Sequence, residues 1–184
     1  MNTNTQYKNK CVFLDRDGVI NQPIIINKKP YSPRKIQEFI FTTDIKNLIN
    51  KVVNLGYKVI VVTNQPDIAT GDLSESLLNH FHKCITDEML INDIFVCKHK
   101  SSDNCNCRKP KPGLIIEAAI KHKINLKESF FIGDRWKDVD AANKVECHSI
   151  FIDYGYSERL KTDPKNCVKS VKDAFDLIIN KEIS

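Results

Sequence analysis

Four short polar stretches carry the residues able to do chemistry, and each follows an apolar run. In Asp15-Arg16-Asp17-Gly18-Val19 two carboxylates stand two positions apart, at the end of Cys11–Asp15 (CVFLD). Side chains at i and i+2 of an extended chain share a side. Two close carboxylates repel until a proton or a cation joins them. That favours a hard divalent ion such as magnesium, held by oxygens and by a substrate phosphate. Gly18 permits a tight turn and close approach to the backbone. The same residues also suit a plain Asp-x-Asp-Gly surface turn. Thr63-Asn64-Gln65 follows Lys58–Val62 (KVIVV). Its hydroxyl and adjacent N–H groups can hold a phosphoryl oxygen, although threonine there also serves turns and helix caps. Arg108-Lys109-Pro110-Lys111-Pro112-Gly113 sets a guanidinium and an ammonium in a segment stiffened by prolines. Such a pair neutralises a phosphate, or forms a solvated basic turn. Gly133-Asp134-Arg135-Trp136-Lys137-Asp138 follows Phe130–Ile132 (FFI). Asp134 can complete a magnesium site with the first motif. Asp138, one helical turn later, either braces that site or interacts with the dipole of its own helix.

A fifth cluster is sulfur-rich. Cys97-x-His99 and Cys105-x-Cys107 place three thiolates and one imidazole within eleven residues. Three Cys and one His form a tetrahedral zinc set, and four protein ligands leave no open position for a catalytic water. The alternative is three surface thiols beside a stray histidine. The chain has seven cysteines, an odd number, and no apolar leader among Met1–Lys10, so a disulfide framework is not expected. Cys11 and Cys147 read as core residues. His80, His82, His122 and His148 have no partner visible in the sequence and read as surface or packing residues. Trp136 suits either the wall of a cleft or packing beside the last helix.

Positioning these groups requires strands that end at one edge. Apolar runs alternate with helical patterns. Strands are predicted at Cys11–Asp15, Lys58–Val62, Ile94–Cys97, Phe130–Gly133 and Ser149–Asp153. Asp44–Leu55 carries Ile45, Leu48, Ile49, Val52 and Leu55 at helical spacing before Gly56. Asp72 and Glu75 predict a capping box for a helix reaching about Leu90. Further helices are predicted over Pro112–His122, Lys137–Val145 and Val168–Ile179. Continuous apolar strands between helices imply an α/β fold: a mostly parallel sheet covered on both faces, with ligands beyond the carboxyl ends of the strands. All four polar motifs fall there.

Composition agrees with that class. The 184 residues are 41% apolar and 28% charged. A single domain over 1–184 is expected, with 1–9 as a flexible tail. No apolar run approaches the ~18 residues of a membrane span, and a cytoplasmic location is expected. The net charge of +5 suits a small phosphorylated ligand. It lacks the clustered arginines of a duplex binder, which argues against a nucleic-acid partner.

Asp-x-Asp-Gly, Thr, Lys-Pro and Gly-Asp-x-x-x-Asp, in this order, resemble the phosphatases of the haloacid dehalogenase superfamily from Cys11 to about Asp153. LDRDGVIN, VTNQ, CRKPKPG and the Cys/His cluster resemble its D-glycero-D-manno-heptose 1,7-bisphosphate phosphatases and the related histidinol-phosphatases. The resemblance implies a Rossmann-like three-layer sandwich with a minimal cap, in which Asn21–Arg34 contacts substrate. Asp15 would be the nucleophile forming an aspartyl-phosphate, and Asp17 the acid and base. Thr63 and Lys109 would hold phosphoryl oxygens. Magnesium would sit on Asp15, the backbone carbonyl of Asp17, and Asp134. Asn64, Gln65, Arg108 and Arg135 would contact substrate, with Arg108 facing a second phosphate. Zinc on Cys97, His99, Cys105 and Cys107 would be structural. Pro66-Asp67 and Arg135 replace Ser-Gly and Lys of many heptose enzymes. The expected function is a magnesium-dependent, monomeric phosphomonoesterase acting on a small sugar phosphate, foremost heptose 1,7-bisphosphate at its 7-phosphate. Histidinol phosphate or a nucleic-acid 3′-phosphate are the enzymatic alternatives, and a zinc-loop binding module that releases no phosphate is the alternative from another class.

Overall fold

A computed structural model describes residues 7–183. Six parallel strands form one sheet in the order β5-β4-β1-β6-β7-β8. They are β1 (Cys11–Leu14), β4 (Lys58–Asn64), β5 (Asp93–Cys97), β6 (Phe130–Gly133), β7 (His148–Ile152) and β8 (Asn166–Val168). A separate antiparallel hairpin joins β2 (Ile24–Ile26) to β3 (Lys29–Tyr31).

The inner strands are apolar throughout because each side of the sheet is covered. Val12, Leu14, Val59, Val61, Phe130 and Ile132 face one core. Against them pack α1 (Ile45–Asn54) and α6 (Val171–Ile183), through residues such as Leu48, Val52, Phe175 and Ile178. The alternate residues Phe13, Ile60, Val62 and Phe131 face a second core beneath α4 (Gly113–His122) and α5 (Trp136–Asn143). Period-two alternation therefore persists inside continuous apolar runs, giving the expected three layers. A third cluster lies between α2 (Asp67–Thr70) and α3 (Glu75–Glu88), around Leu73, Leu78 and Phe81. No helix among the described residues is long and apolar enough to cross a membrane.

Several boundaries differ from expectation. The cap of α3 is Ser74, whose hydroxyl accepts from Leu77 N. Asp72 instead accepts from Arg34 and from the Thr70 hydroxyl. The tail predicted as one helix from Val168 splits: Val168 ends strand β8, and α6 begins at Val171. Of the expected flexible tail, 1–6 lie outside the described residues. Asn9 is tied down, its N–H and side-chain amide donating to the carbonyls of Lys123 and His122.

The β2–β3 hairpin turns at Asn27 and Lys28, both with positive φ (50° and 59°), which is how a two-residue loop matches strand twist. It belongs to an excursion from Gln22 to Ile40 whose ends are clamped together. Gln22 N donates to Ile40 O, and Thr42 N to Ile20 O.

Candidate active site and metal centre

The carboxyl ends of β1, β4 and β6 meet at the middle of the sheet, where the strand order reverses, and the polar motifs converge there. Asp15 follows β1 and its carboxylate lies 2.9 Å from Lys109 Nζ. That ammonium is 2.7 Å from Asp138 Oδ1 and donates to Val62 O at 2.7 Å. Lys109 is buried. Asn64 fixes its backbone from both sides, donating to Lys109 O and accepting from Lys109 N at 3.1 Å. Asp138 thus braces Lys109, and it also accepts from Arg135 N.

Asp17 is held on the other flank. Arg16 Nε and Nη2 donate to it at 3.0 Å, Ser32 Oγ at 2.7 Å and Gln65 Nε2 at 2.9 Å. Arg16 is completely buried, its guanidinium about 6 Å from the ring centres of Phe39 and Phe81. Nothing in the sequence distinguishes Arg16 from an exposed arginine, because the rings that cover it come from distant segments. Asp134 follows β6 and accepts from the Tyr156 hydroxyl at 2.8 Å. Its Oδ1 is buried and without a partner. Gly18 (φ 87°) approaches so closely that a Cβ there would lie 2.0 Å from Asp134 Oδ2.

These positions set the acidities. Burial pushes the Asp15 carboxyl up to about 6; the Lys109 ammonium opposes this, and the Asp138 and Asp17 charges add to it. Burial, then Asp15 and Asp138, hold Asp134 well above the usual carboxylate range. Asp17 is also buried, but Arg16 and the donors around it outweigh burial and keep it below that range. Burial would lower Lys109, but Asp138 and Asp15 raise it.

Oxygens of Asp15, Asp134 and Asp138 lie within 4.8 Å of one another. Asp15, Asp17, Asp134 and Asp138 face only two buried cations, Arg16 and Lys109, leaving an excess of negative charge. With Asp138 engaged by Lys109, Asp15 and the unpartnered Asp134 oxygen form the part of this set open to a hard cation, the donor chemistry magnesium takes.

Beyond β5 the sulfur cluster is assembled as predicted. Cys97, Cys105 and Cys107 have Sγ–Sγ separations of 3.3–3.7 Å, and His99 Nδ1 is 3.2 Å from Cys107 Sγ. All four donor atoms fit within 4.8 Å, the compactness of a tetrahedral centre. Arg108 Nη1 donates to His99 O at 3.0 Å, joining this loop to the carboxylate cleft.

The cleft holds about 230 Å³. Its lining includes the carboxylates Asp15, Asp17, Asp134 and Asp138, Tyr31 and Ser32 from the hairpin segment, and the cations Arg108 and Lys137. Not every residue expected to touch substrate reaches it. Gln65 is fully buried and bridges Asp17, Thr63 and Arg16. The Thr63 hydroxyl accepts from Gln65 and lies beneath the cleft. Both fall behind Asp17 because β4 carries them one layer deeper than Asn64, which does line the cleft. Arg135 borders the cleft, but its guanidinium is paired with Glu158. Trp136 lies in a neighbouring basic groove, with Lys161 Nζ 3.8 Å from its ring, rather than beside α6. Three of the histidines outside the sulfur cluster do have partners: His122 Nε2 is 2.8 Å from Asp93, His148 Nε2 is 2.6 Å from Asn166, and His80 Nε2 is 3.7 Å from Cys84 Sγ.

A HAD-hydrolase-like family model matches residues 106–174. The D-glycero-beta-D-manno-heptose-1,7-bisphosphate 7-phosphatase of Helicobacter pylori is 37% identical over 180 residues, covering 92% of this chain and 98% of that one. The corresponding alpha-heptose enzyme of Photorhabdus laumondii is 36% identical, covering 79% and 82%. Among solved structures, a heptose 1,7-bisphosphate phosphatase from B. bronchiseptica, complexed with magnesium and phosphate, superposes with a TM-score of 0.78. It is 22% identical over 94% of this chain and 99% of that chain, a likeness of fold.

Proposed function

The chain belongs to the heptose-1,7-bisphosphate 7-phosphatases of the HAD-like hydrolases, and from that membership we propose that it removes the 7-phosphate of D-glycero-D-manno-heptose 1,7-bisphosphate through an aspartyl-phosphate on Asp15. The observation that carries this reading is the Lys109 ammonium, buried between Asp15 and Asp138 at the cleft floor.

In this reading Asp15 Oδ attacks phosphorus in line with the leaving alkoxide, and its bond to phosphorus forms as the phosphorus–alkoxide bond breaks. Asp17, ionised in the free site, must first take up a proton from solvent; it gives that proton to the alkoxide and then takes one from the water that cleaves the aspartyl-phosphate. Inorganic phosphate leaves and Asp15 is restored. Lys109, fixed by Asn64 and Asp138, holds the charge that develops on the phosphoryl oxygens. Arg16, Ser32 and Gln65 orient Asp17. Asp15, the backbone carbonyl of Asp17 and Asp134 would hold magnesium, which would supply electrostatic neutralisation of the phosphoryl group. Zinc on Cys97, His99, Cys105 and Cys107 fixes the loop that carries Arg108 and Lys109, and Arg108 meets the phosphate that is not transferred. The protein acts as a cytoplasmic monomer.

The test is phosphate release, with magnesium, from both anomers of heptose 1,7-bisphosphate, from histidinol phosphate and from a 3′-phosphorylated oligonucleotide. Turnover of the heptose bisphosphate, lost in Asp15→Asn, is expected. Preferential turnover of another member of the panel would reassign the substrate. Turnover surviving in Asp15→Asn would remove the covalent mechanism.

A further inference from the structure

The lining of the cleft contains, besides Arg108 and the motif residues, a further cation, Lys137. Lys137 is the second residue of α5 and, half-buried, lines the cleft together with Arg108. Among the described residues neither Lys137 nor Arg108 forms an ion pair; Arg108 donates only to the carbonyl of His99. Arg135, the motif residue expected to meet substrate, is tied to Glu158 through two contacts. At the rim, Asp67 is matched by Arg34 at 2.8 Å.

The floor keeps its acidic excess, whereas among the cations that line the cleft Lys109 and Arg135 are paired and Arg108 and Lys137 are not. The acidic floor suits a metal and the reacting phosphate. Arg108 and Lys137 repel each other and neither has a salt bridge; Glu158 and Asp138 offset this only in part at Lys137, and an anion relieves the rest. Burial, followed by the neighbouring Arg108 and Arg135 charges, lowers the Lys137 ammonium from its ordinary value. We propose that Lys137 is a specificity-determining residue, which with Arg108 binds the second, non-transferred phosphate of a bisphosphorylated sugar in the place that Arg135 vacates by pairing with Glu158. This rests on the phosphatase reading above and deepens it.

Asp15→Asn protein, loaded with magnesium, permits calorimetry without turnover. Heptose 1,7-bisphosphate and heptose 7-phosphate are the two probes, since only the first carries the second phosphate. Lys137→Met in this background is expected to weaken the bisphosphate about tenfold or more and the 7-phosphate less than about threefold. Lys137→Arg is expected to keep most of the difference. In the active enzyme Lys137→Met is expected to raise KM for the bisphosphate far more than it lowers kcat. Equal losses for both probes, or no loss for either, would overturn the assignment. A melting curve matching that of the parent establishes that Lys137→Met is folded. Should the active enzyme hydrolyse neither compound while Lys137 still discriminates between the probes, the phosphatase reading fails and the site stands. Should it hydrolyse both and Lys137→Met not discriminate, the site fails and the phosphatase reading stands.

Discussion

Lys109 concentrates the chemistry of the site, and removing its charge has two separable consequences. Lys109→Met keeps a similar volume but leaves Asp15 and Asp138 buried without their shared cation. Breaking one partner of a buried ion pair costs about 3–5 kcal/mol, so the melting temperature is expected to fall by several degrees or more. Magnesium raised in the melt should restore part of this, since it neutralises the same carboxylates. Phosphate release should fall by about 10²-fold or more. A second prediction concerns Gly18. Gly18→Ala adds a methyl 2.0 Å from Asp134 Oδ2 in a left-handed conformation. Asp134 must shift, and weaker magnesium binding, read as a higher concentration for half-maximal activity, is the expected outcome. Asp15, Asp17 and Asp134 were legible in the sequence because they follow apolar strands, and Lys109 because it stands in the Lys-Pro motif between them in a fixed order. Arg16 and Ser32 were not, because the burial of Arg16 and the contact of Ser32 with Asp17 depend on segments far away in the chain. Gln65 illustrates the converse: its place in a motif suggested a contact, and the depth of β4 turned it into a support.

The elements were read well where amphipathic or continuous apolar patterning was strong, as in α1, β1, β4 and β6. β8 and the β2–β3 hairpin were missed. Each strand in them is three residues long, too short for period-two alternation to register. One joint between elements yields a pH prediction. Asp93 opens β5 and accepts Lys121 Nζ at 2.7 Å and contacts His122 Nε2 at 2.8 Å, at the end of α4. Burial would raise its carboxyl, but bonds from Lys121, His122 and Ile94 N hold it below the usual 3.8. A carboxyl depressed in the folded state contributes stability that is complete above its unfolded value and is lost as pH falls through the folded one. Thermal stability is expected to decline below about pH 4, and Asp93→Asn should flatten that acid limb. An unchanged slope would show that the joint contributes nothing.

Across the molecule, the sulfur cluster and the cleft behave as one assembly. His99 supplies a ligand position and its carbonyl holds Arg108. Cys107, Arg108 and Lys109 are consecutive, and Gln65 N donates to Cys97 O at 2.7 Å. From the zinc proposed for this loop it follows that a chelator, with magnesium alone restored afterwards, is expected to lower the melting temperature by several degrees and to expose 98–108 to proteases. Zinc should reverse both effects. Persistence of the parental melt in metal-free protein would separate loop from fold. The clamp at the base of the hairpin excursion has a different reach. Because Gln22–Ile40 and Ile20–Thr42 close that segment at its neck, its length is decoupled from the sheet, and lengthening a closed loop adds only about 0.6 kcal/mol per doubling. The neck is thus a natural graft point: exchanging 23–31 for segments of other sizes, while leaving the Ser32 hydroxyl on Asp17, offers a way to re-tailor which molecules this scaffold admits without rebuilding its catalytic floor.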